Sequence, residues 1–176
     1  MKRKVICQFK IELQHIEPSI WRCIEVPYDY TFWDLHVAIQ DAMGWDDAHL
    51  HLFLIKQEGG RVPAQIGIPM ENDFVGMPEL ERRASWEVPL SEIFTLPGVE
   101  VEYEYDFGDS WQHKILLESI HLAKNRARYP KCIDGQRACP PEDCGGIWGY
   151  QNIIEILADR KHPEYEETKE WVGRFN

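Results

Sequence analysis

The sequence predicts a single α+β domain over residues 1–176, a mostly antiparallel sheet with an early helix and C-terminal helices packed on it. Three observations carry this. Residues 2–13 alternate, with Val5, Cys7, Phe9, Ile11 and Leu13 on one face and Lys4, Gln8, Lys10 and Glu12 among those on the other, the period of a half-buried strand. Residues 99–107 alternate more strictly, Val99, Val101, Tyr103, Tyr105 and Phe107 opposing Glu100, Glu102, Glu104 and Asp106. Between these stretches Phe32, Leu35, Ile39 and Met43 recur at helical spacing. The chain has 176 residues, 44% apolar and 12% aromatic, so one core of ordinary domain size is affordable without a covalent staple.

The elements follow in order. After the break at Glu17-Pro18, residues 19–26 read as a second strand closed by Pro27. Thr31 can cap the helix over 31–43, Asp34 suits its first turn, and Gly44 suits its end. Residues 49–56 alternate again, with Leu50, Leu52 and Leu54 opposite His49, His51, Phe53 and Ile55, so both faces are expected to be covered. Gly59-Gly60 turns the chain and 61–68 is expected to return antiparallel; 69–83 has no period and is expected to be an irregular, mobile loop. Residues 90–96 suggest one or two helical turns ended by Pro97-Gly98. The strand over 99–107, the turn at Gly108-Asp109 and a partner strand over 111–122 make a hairpin, and its four carboxylates need basic neighbours such as Lys114 and the lysines of the first strand. Residues 126–150 form a long segment with Pro140-Pro141, Gly145-Gly146 and three cysteines, followed by a helix over 151–157 and a last helix opened by Pro163.

Composition narrows the function classes. The formal net charge is −11, whereas polyphosphate chains and anionic membranes are bound by basic surfaces, so nucleic acid is disfavoured as a partner. No apolar run is long enough to span a membrane, and the basic start is broken by Gln8 and Lys10 before a leader-length stretch develops. A cytoplasmic location is expected, with the five cysteines reduced. Phosphate-loop, dinucleotide-fold, nucleophile-elbow and zincin motifs are all missing.

Two segments could carry chemistry. In 103–113, strand alternation puts Glu104 and Asp106 on one face and the turn can bring Asp109 and His113 near them. Carboxylates beside an imidazole can hold a divalent cation or exchange protons, so Asp106, Asp109 and His113 are candidate catalytic residues; a plain hairpin with a solvated edge is the competing reading. In 132–146, Cys132, Cys139 and Cys144 offer three thiols for zinc, Cys139 and Cys144 lying at ligand spacing, with His113 or His121 available as a fourth. A loop filled by buried thiols is the alternative. His36, His49 and His51 are a third group: the latter two, one strand repeat apart, share a face, the geometry a metal site would use, with a packed or hydrogen-bonded pair as the competing reading; His49 and His51, with Tyr105, Trp111, Trp148 and Tyr150, are candidate ligand-binding residues.

The residues also resemble a known family. Pro18-Ser19-Ile20-Trp21-Arg22, Leu35-His36 with Ile39-Gln40, Gly44-Trp45 leading to His49-Leu50-His51 and Phe53, the stretch from Tyr103 to His113, and Cys139-Pro-Pro-Glu-Asp-Cys-Gly-Gly146 with Gly149-Tyr150 occur in the order seen in the plasmid pRiA4b ORF-3-like proteins, also labelled TnpR-like passengers of an insertion element. The resemblance implies a shared α+β fold and a mobile-element association, and little about activity. Cys23 stands where many relatives have a second basic residue after Trp-Arg, which weakens a phosphate role for that pair, and relatives often extend past Asn176, so a C-terminal segment is expected to be lacking here. No serine-and-arginine constellation of a serine recombinase is present.

The leading expectation is a non-enzymatic binding or interaction module, for a protein or small-molecule ligand, with a groove between the 103–113 hairpin and the 132–150 loop. The alternative is a metal-dependent hydrolase or nuclease-like enzyme using Asp106, Asp109 and His113, with zinc or another divalent cation as cofactor. A weaker alternative is nucleic-acid binding through Lys124, Arg126, Arg128 and Lys131.

Overall fold

The computed structural model describes residues 4–56, 64–69 and 82–175. Strands β1 (Val5–Leu13) and β2 (Ile20–Pro27) pair antiparallel, with Phe9 opposite Ile24 and Ile11 opposite Arg22. Helix α1 (Phe32–Met43) begins at a complete capping box: the Thr31 side chain accepts from the Asp34 N–H while the Asp34 carboxylate accepts from the Thr31 N–H. It ends at Gly44 with φ of 80°, where an L side chain would be strained. Strands β3 (His51–Ile55), β4 (Ala64–Gly67) and β5 (Arg82–Ala84) come next, then the short helix α2 (Leu90–Ile93). The hairpin of β6 (Glu100–Tyr105) and β7 (Trp111–Leu122), strand β8 (Lys131–Gln136), and helices α3 (Gly146–Ala158) and α4 (Tyr165–Val172) complete the chain. The described strands form one sheet in the order β5-β4-β3-β6-β7-β1-β2-β8, antiparallel throughout except for β4 with β5.

The apolar side of this sheet is sealed by α1. Phe9, Ile11, Ile24, Phe53, Ile115 and Leu117 meet Phe32, Leu35 and Ile39, each at most 1% exposed. Phe94 sits edge-on to Phe9 at 4.7 Å and Phe32 edge-on to Phe53 at 4.9 Å, geometries that add about 0.5–1.5 kcal/mol per pair beyond the area they bury. The other side stays polar. Lys56 reaches Glu102 at 2.9 Å and Lys114 reaches Glu100 at 3.7 Å, whereas Lys10 of β1 turns to its own neighbour Glu12. The basic partners expected from β1 are therefore Lys56 and Lys114.

Three elements depart from the sequence reading. Strand β8 lies inside the stretch read as one long loop, and its exposed side chains carry no hydrophobic period that would mark a strand. Helix α3 starts at Gly146 rather than at 151, because two glycines there make contacts a Cβ would prevent. Of the segment 69–83, residues 82 and 83 belong to β5, and 70–81 lie outside the described residues. The return strand expected over 61–68 is present as β4; residues 61–63 are likewise outside. Helices α3 and α4 pack on each other, and the pair is anchored to the core through Ile147 and Tyr150 in the first turns of α3. Among the described residues no helix is long and apolar enough to cross a membrane.

Candidate functional site

Three segments meet at one end of the sheet. The first is the turn after α1. Trp45 is buried and donates its indole N–H to the Pro140 carbonyl at 2.9 Å. The next three backbone N–H groups each go to a side chain: Asp46 to Glu142 at 3.2 Å, Asp47 to Gln40 at 3.2 Å, and Ala48 to the Tyr105 hydroxyl at 3.0 Å. With every donor committed, the turn is fixed and delivers His49 to the mouth of β3.

The second segment is the β6–β7 turn. Asp106 takes a left-handed conformation with φ of 54°, which ends the strand and swings its carboxylate away from the Glu104 face. Its Oδ1 accepts the Gly108 N–H at 2.9 Å, and its backbone carbonyl accepts the Ser110 N–H. Glu104 is engaged elsewhere, accepting from the Ser110 hydroxyl at 2.8 Å.

The third segment is 139–146. Glu142 is 7% exposed, accepting the Tyr105 hydroxyl proton in a short hydrogen bond as well as the Asp46 N–H. Asp109 accepts the Gly145 N–H at 3.1 Å, which ties the hairpin turn to the start of α3. Asp143, with φ of 52°, then points back across the seam. The result is a convergence of side chains from all three segments. His49 Nε2 lies 2.9 Å from Asp143 Oδ1 and 3.6 Å from Asp106 Oδ2, and the three ligand-type atoms all fall within 4.8 Å of one another. An open depression beside them is lined by Ala48, His49, Leu50, Asp106, Phe107 and Gly108. Asp47, Asp106, Ser110 and Asp143 are all non-glycine residues with positive φ, so backbone strain is concentrated around this site, as it is at many functional sites.

The sequence-derived candidates are distributed differently. Asp106 is in the convergence, Asp109 is used as a strap to Gly145, and His113 is separated from both: at 1% exposure it faces the core, 5.4 Å from Trp45 and 5.2 Å from Tyr103 in ring-centroid distance. Strand alternation explains this, because 113 shares the face of Trp111 and Ile115. Burial pushes the His113 imidazole down to about 4.

His49 and His51 do not share a face, since β3 begins only at His51. His51 is buried, stacked on His36 with centroids 3.7 Å apart, and burial with the neighbouring His36 lowers it to about 3. His36 itself is held between the Tyr103 hydroxyl at 2.8 Å and Asp47 at 2.7 Å. Of the other ligand-binding candidates, Tyr105 and Trp111 are core residues at 1% exposure, Tyr150 packs against the core, and Trp148 stands 86% exposed on α3. Where a groove was expected, the hairpin and the loop are joined by the contacts of Tyr105 with Glu142 and of Asp109 with Gly145, and an open depression lies at His49.

The three thiols do not assemble. Cys132 is exposed on β8 with its thiol toward the Asp134 carbonyl, Cys139 lies 3.2 Å from the Met43 sulfur, and Cys144 faces the Gly146 carbonyl. Burial raises Cys139 to about 11 and Cys144 to about 12, the latter helped by Asp109, so both are protonated and poorly nucleophilic near neutral pH. In the basic stretch 124–131, Lys124 and Lys131 are spent on the buried carboxylate of Glu25, at 3.3 and 3.0 Å.

The chain as a whole has relatives. A family model described as "Plasmid pRiA4b ORF-3-like protein" matches residues 5–176. The chain belongs to the plasmid pRiA4b ORF-3-like family. Uncharacterized protein y4hQ of Sinorhizobium fredii (strain NBRC 101917 / NGR234) is 37% identical to this pRiA4b ORF-3-like chain over 168 residues, covering 96% of the chain and 81% of that protein. A crystal structure of a protein of unknown function, MM3350 from Methanosarcina mazei Go1, superposes with a TM-score of 0.83 at 39% identity, covering 97% of the chain and 90% of that structure. The pRiA4b ORF-3-like fold is therefore shared with a solved structure nearly end to end.

Sequence reasoning on this pRiA4b ORF-3-like chain missed Asp143, Glu142 and Asp47. A usable signal was present, because Glu142-Asp143 sits between two prolines and two glycines, a setting that fixes where acidic side chains point.

Proposed function

We propose that this pRiA4b ORF-3-like protein is a non-enzymatic binding module whose recognition site is the open end of the seam. The observation that carries the reading is the convergence of His49, Asp106 and Asp143 beside the depression. Two carboxylates flanking the His49 imidazole, carried on three tied-down segments, form a mainly acceptor surface, and a fixed backbone reduces the ordering cost of binding. Among the described residues no Lys or Arg forms an ion pair with Asp106, Asp109 or Asp143, so a positively charged or hydrogen-bond-donating group is the complement of this surface. The apolar floor from Leu50 and Phe107 favours a ligand that carries that group on an apolar body. The hydrolase alternative has less support, since its base His113 faces the core, and a nucleic-acid role has less because Lys124 and Lys131 are engaged with Glu25.

The test is a protein-observed NMR screen of a fragment library that includes primary amines, guanidines and carboxylic acids. Amines and guanidines are expected to shift the amides of His49, Leu50, Asp106 to Gly108 and Asp143. Hits that cluster on the opposite sheet face, around Glu100, Glu102 and Lys114, sink the assignment.

A further inference from the structure

We infer that His49, Asp106 and Asp143 form a binding site for a first-row divalent transition-metal ion, with zinc the best fit. The inference rests on the reading of the site given above and names one occupant for it. Zinc bonds of ~2.1 Å at the tetrahedral angle put neighbouring ligand atoms about 3.4 Å apart. His49 Nε2 stands 2.9 Å from Asp143 Oδ1 and 3.6 Å from Asp106 Oδ2, spacings that bracket this value, and the third edge of the triangle is within 4.8 Å, so one ion is accommodated once the exposed side chain moves. Asp143, with its side chain 69% exposed, is free to make that adjustment, whereas Asp106 is not.

A second observation concerns Asp106 alone. It is 7% exposed, and while Oδ1 accepts the Gly108 N–H, Oδ2 receives no hydrogen bond from the described residues and is aimed at His49. That oxygen borders the open depression with His49 Nε2 3.6 Å away, so a cation lodged between them can serve as its partner. His49 would give up its Nε2 proton, now donated to Asp143, and bind through the same nitrogen. An imidazole among the ligands favours zinc or its transition-metal neighbours over calcium and magnesium, which prefer all-oxygen sites. His49 and Asp106 line an open depression, so a three-ligand ion there keeps a fourth position for water or for a donor atom of a bound molecule.

The supporting shell is already in place. Tyr105 precedes Asp106 in the chain, and its hydroxyl holds both the Ala48 N–H, next to His49, and the Glu142 carboxylate, next to Asp143. One side chain thus ties together the chain neighbours of all three ligands, a supporting role one step further out than the hydrogen bonds made directly to ligands at established metal sites.

The experiment is calorimetric titration of metal-stripped full-length protein with Zn²⁺, alongside Co²⁺ titration followed by absorption. The expected result is one equivalent of zinc per chain and cobalt bands free of thiolate charge transfer. His49→Gln and Asp106→Asn should each weaken zinc binding roughly tenfold or more, with Cys132→Ser unchanged. Asn tolerates the left-handed backbone at 106, and the His49 side chain is part-exposed, so at least one variant keeps the fold. Absent binding, binding indifferent to both substitutions, binding lost in Cys132→Ser, or a thiolate band would each overturn the assignment. If zinc fails to bind while amine fragments still map to His49 and Asp106, the metal inference falls and the module reading stands. If zinc binds there and the fragments cluster elsewhere, it is the module reading that falls.

Discussion

A Cβ atom on Gly146 would lie 2.6 Å from the carbonyl oxygen of Asp109. The first turn of α3 therefore rests directly on the hairpin backbone, and only glycine permits the approach. Its φ of 66° adds a second reason against any L side chain. Gly146→Ala is expected to destabilise the protein by roughly 2–4 kcal/mol and to loosen the seam. Denaturant unfolding with the stability of Asn152, an exposed α3 position, mutated to Ala as a control measures this; an effect within ~0.5 kcal/mol of the control refutes the packing argument.

Removing a single oxygen tests the supporting shell. Tyr105→Phe keeps the ring in its stack with Trp45, 5.1 Å between centroids, but takes the hydroxyl away from the Ala48 N–H and from Oε1 of the buried Glu142, whose Oε2 keeps the Asp46 N–H. Stability should fall by roughly 1–3 kcal/mol. Zinc affinity should fall about 10–100-fold at a temperature where the variant is fully folded. A variant that loses stability yet binds zinc as the parent does would show the hydroxyl to be a brace for the fold alone.

Acid should weaken the fold through its buried imidazoles. His113 is depressed to about 4 and His51 to about 3, both chiefly by burial, against an ordinary value of 6.5. Between those values and 6.5 the unfolded chain binds protons that the folded chain refuses, so stability rises with pH and is lost as the pH falls from about 6.5. Each ring is expected to remove about 2 kcal/mol between pH 7 and pH 5. Chemical denaturation of the parent and of His113→Gln at the two pH values gives the comparison, with a shallower loss expected in the variant. Equal losses would remove His113 from the account.

The capping box at Thr31 offers a smaller and more local test. Thr31→Ala removes the acceptor for the Asp34 N–H at the start of α1, at an expected cost of about 1 kcal/mol. His36 and Gln40 ride on the same helix and reach Tyr103. Slower amide exchange at the first turn in the variant than in the parent would contradict the capping role.

The parts of this molecule that were legible in its sequence are those governed by a local period. The alternation from Val101 to Tyr105 and the 31–43 helix with its Thr31 cap are realised because burial on one face selects them. Phe107 breaks the alternation, at 41% exposure, since Asp106 leaves the strand conformation. Strand β8 had no such signal. It is an edge strand whose side chains face solvent, so backbone pairing to β2 specifies it and hydrophobicity does not. The proposed site was half legible: Asp106 and His49 were picked out by residue type, but the sequence grouped Asp106 with Asp109 and His113, and His49 with His51, whereas the structure brings them to Asp143. Strand parity turns 113 and 51 inward, and Asp143 reaches His49 from a segment more than thirty residues downstream of Asp106, a distance that no local pattern records.

The place of β1 in the sheet has a consequence for synthesis. Ile11 sits between Arg22 of β2 and Ile115 of β7, so one side of this strand can be satisfied early and the other only after about a hundred further residues have been made. At ~5–20 residues per second, the ribosome leaves that inner edge without its neighbour for roughly 5–20 s. During this interval the nascent β1–β2 pair presents a row of open backbone groups beside Phe9 and Ile11, an edge open to mispairing until the hairpin arrives.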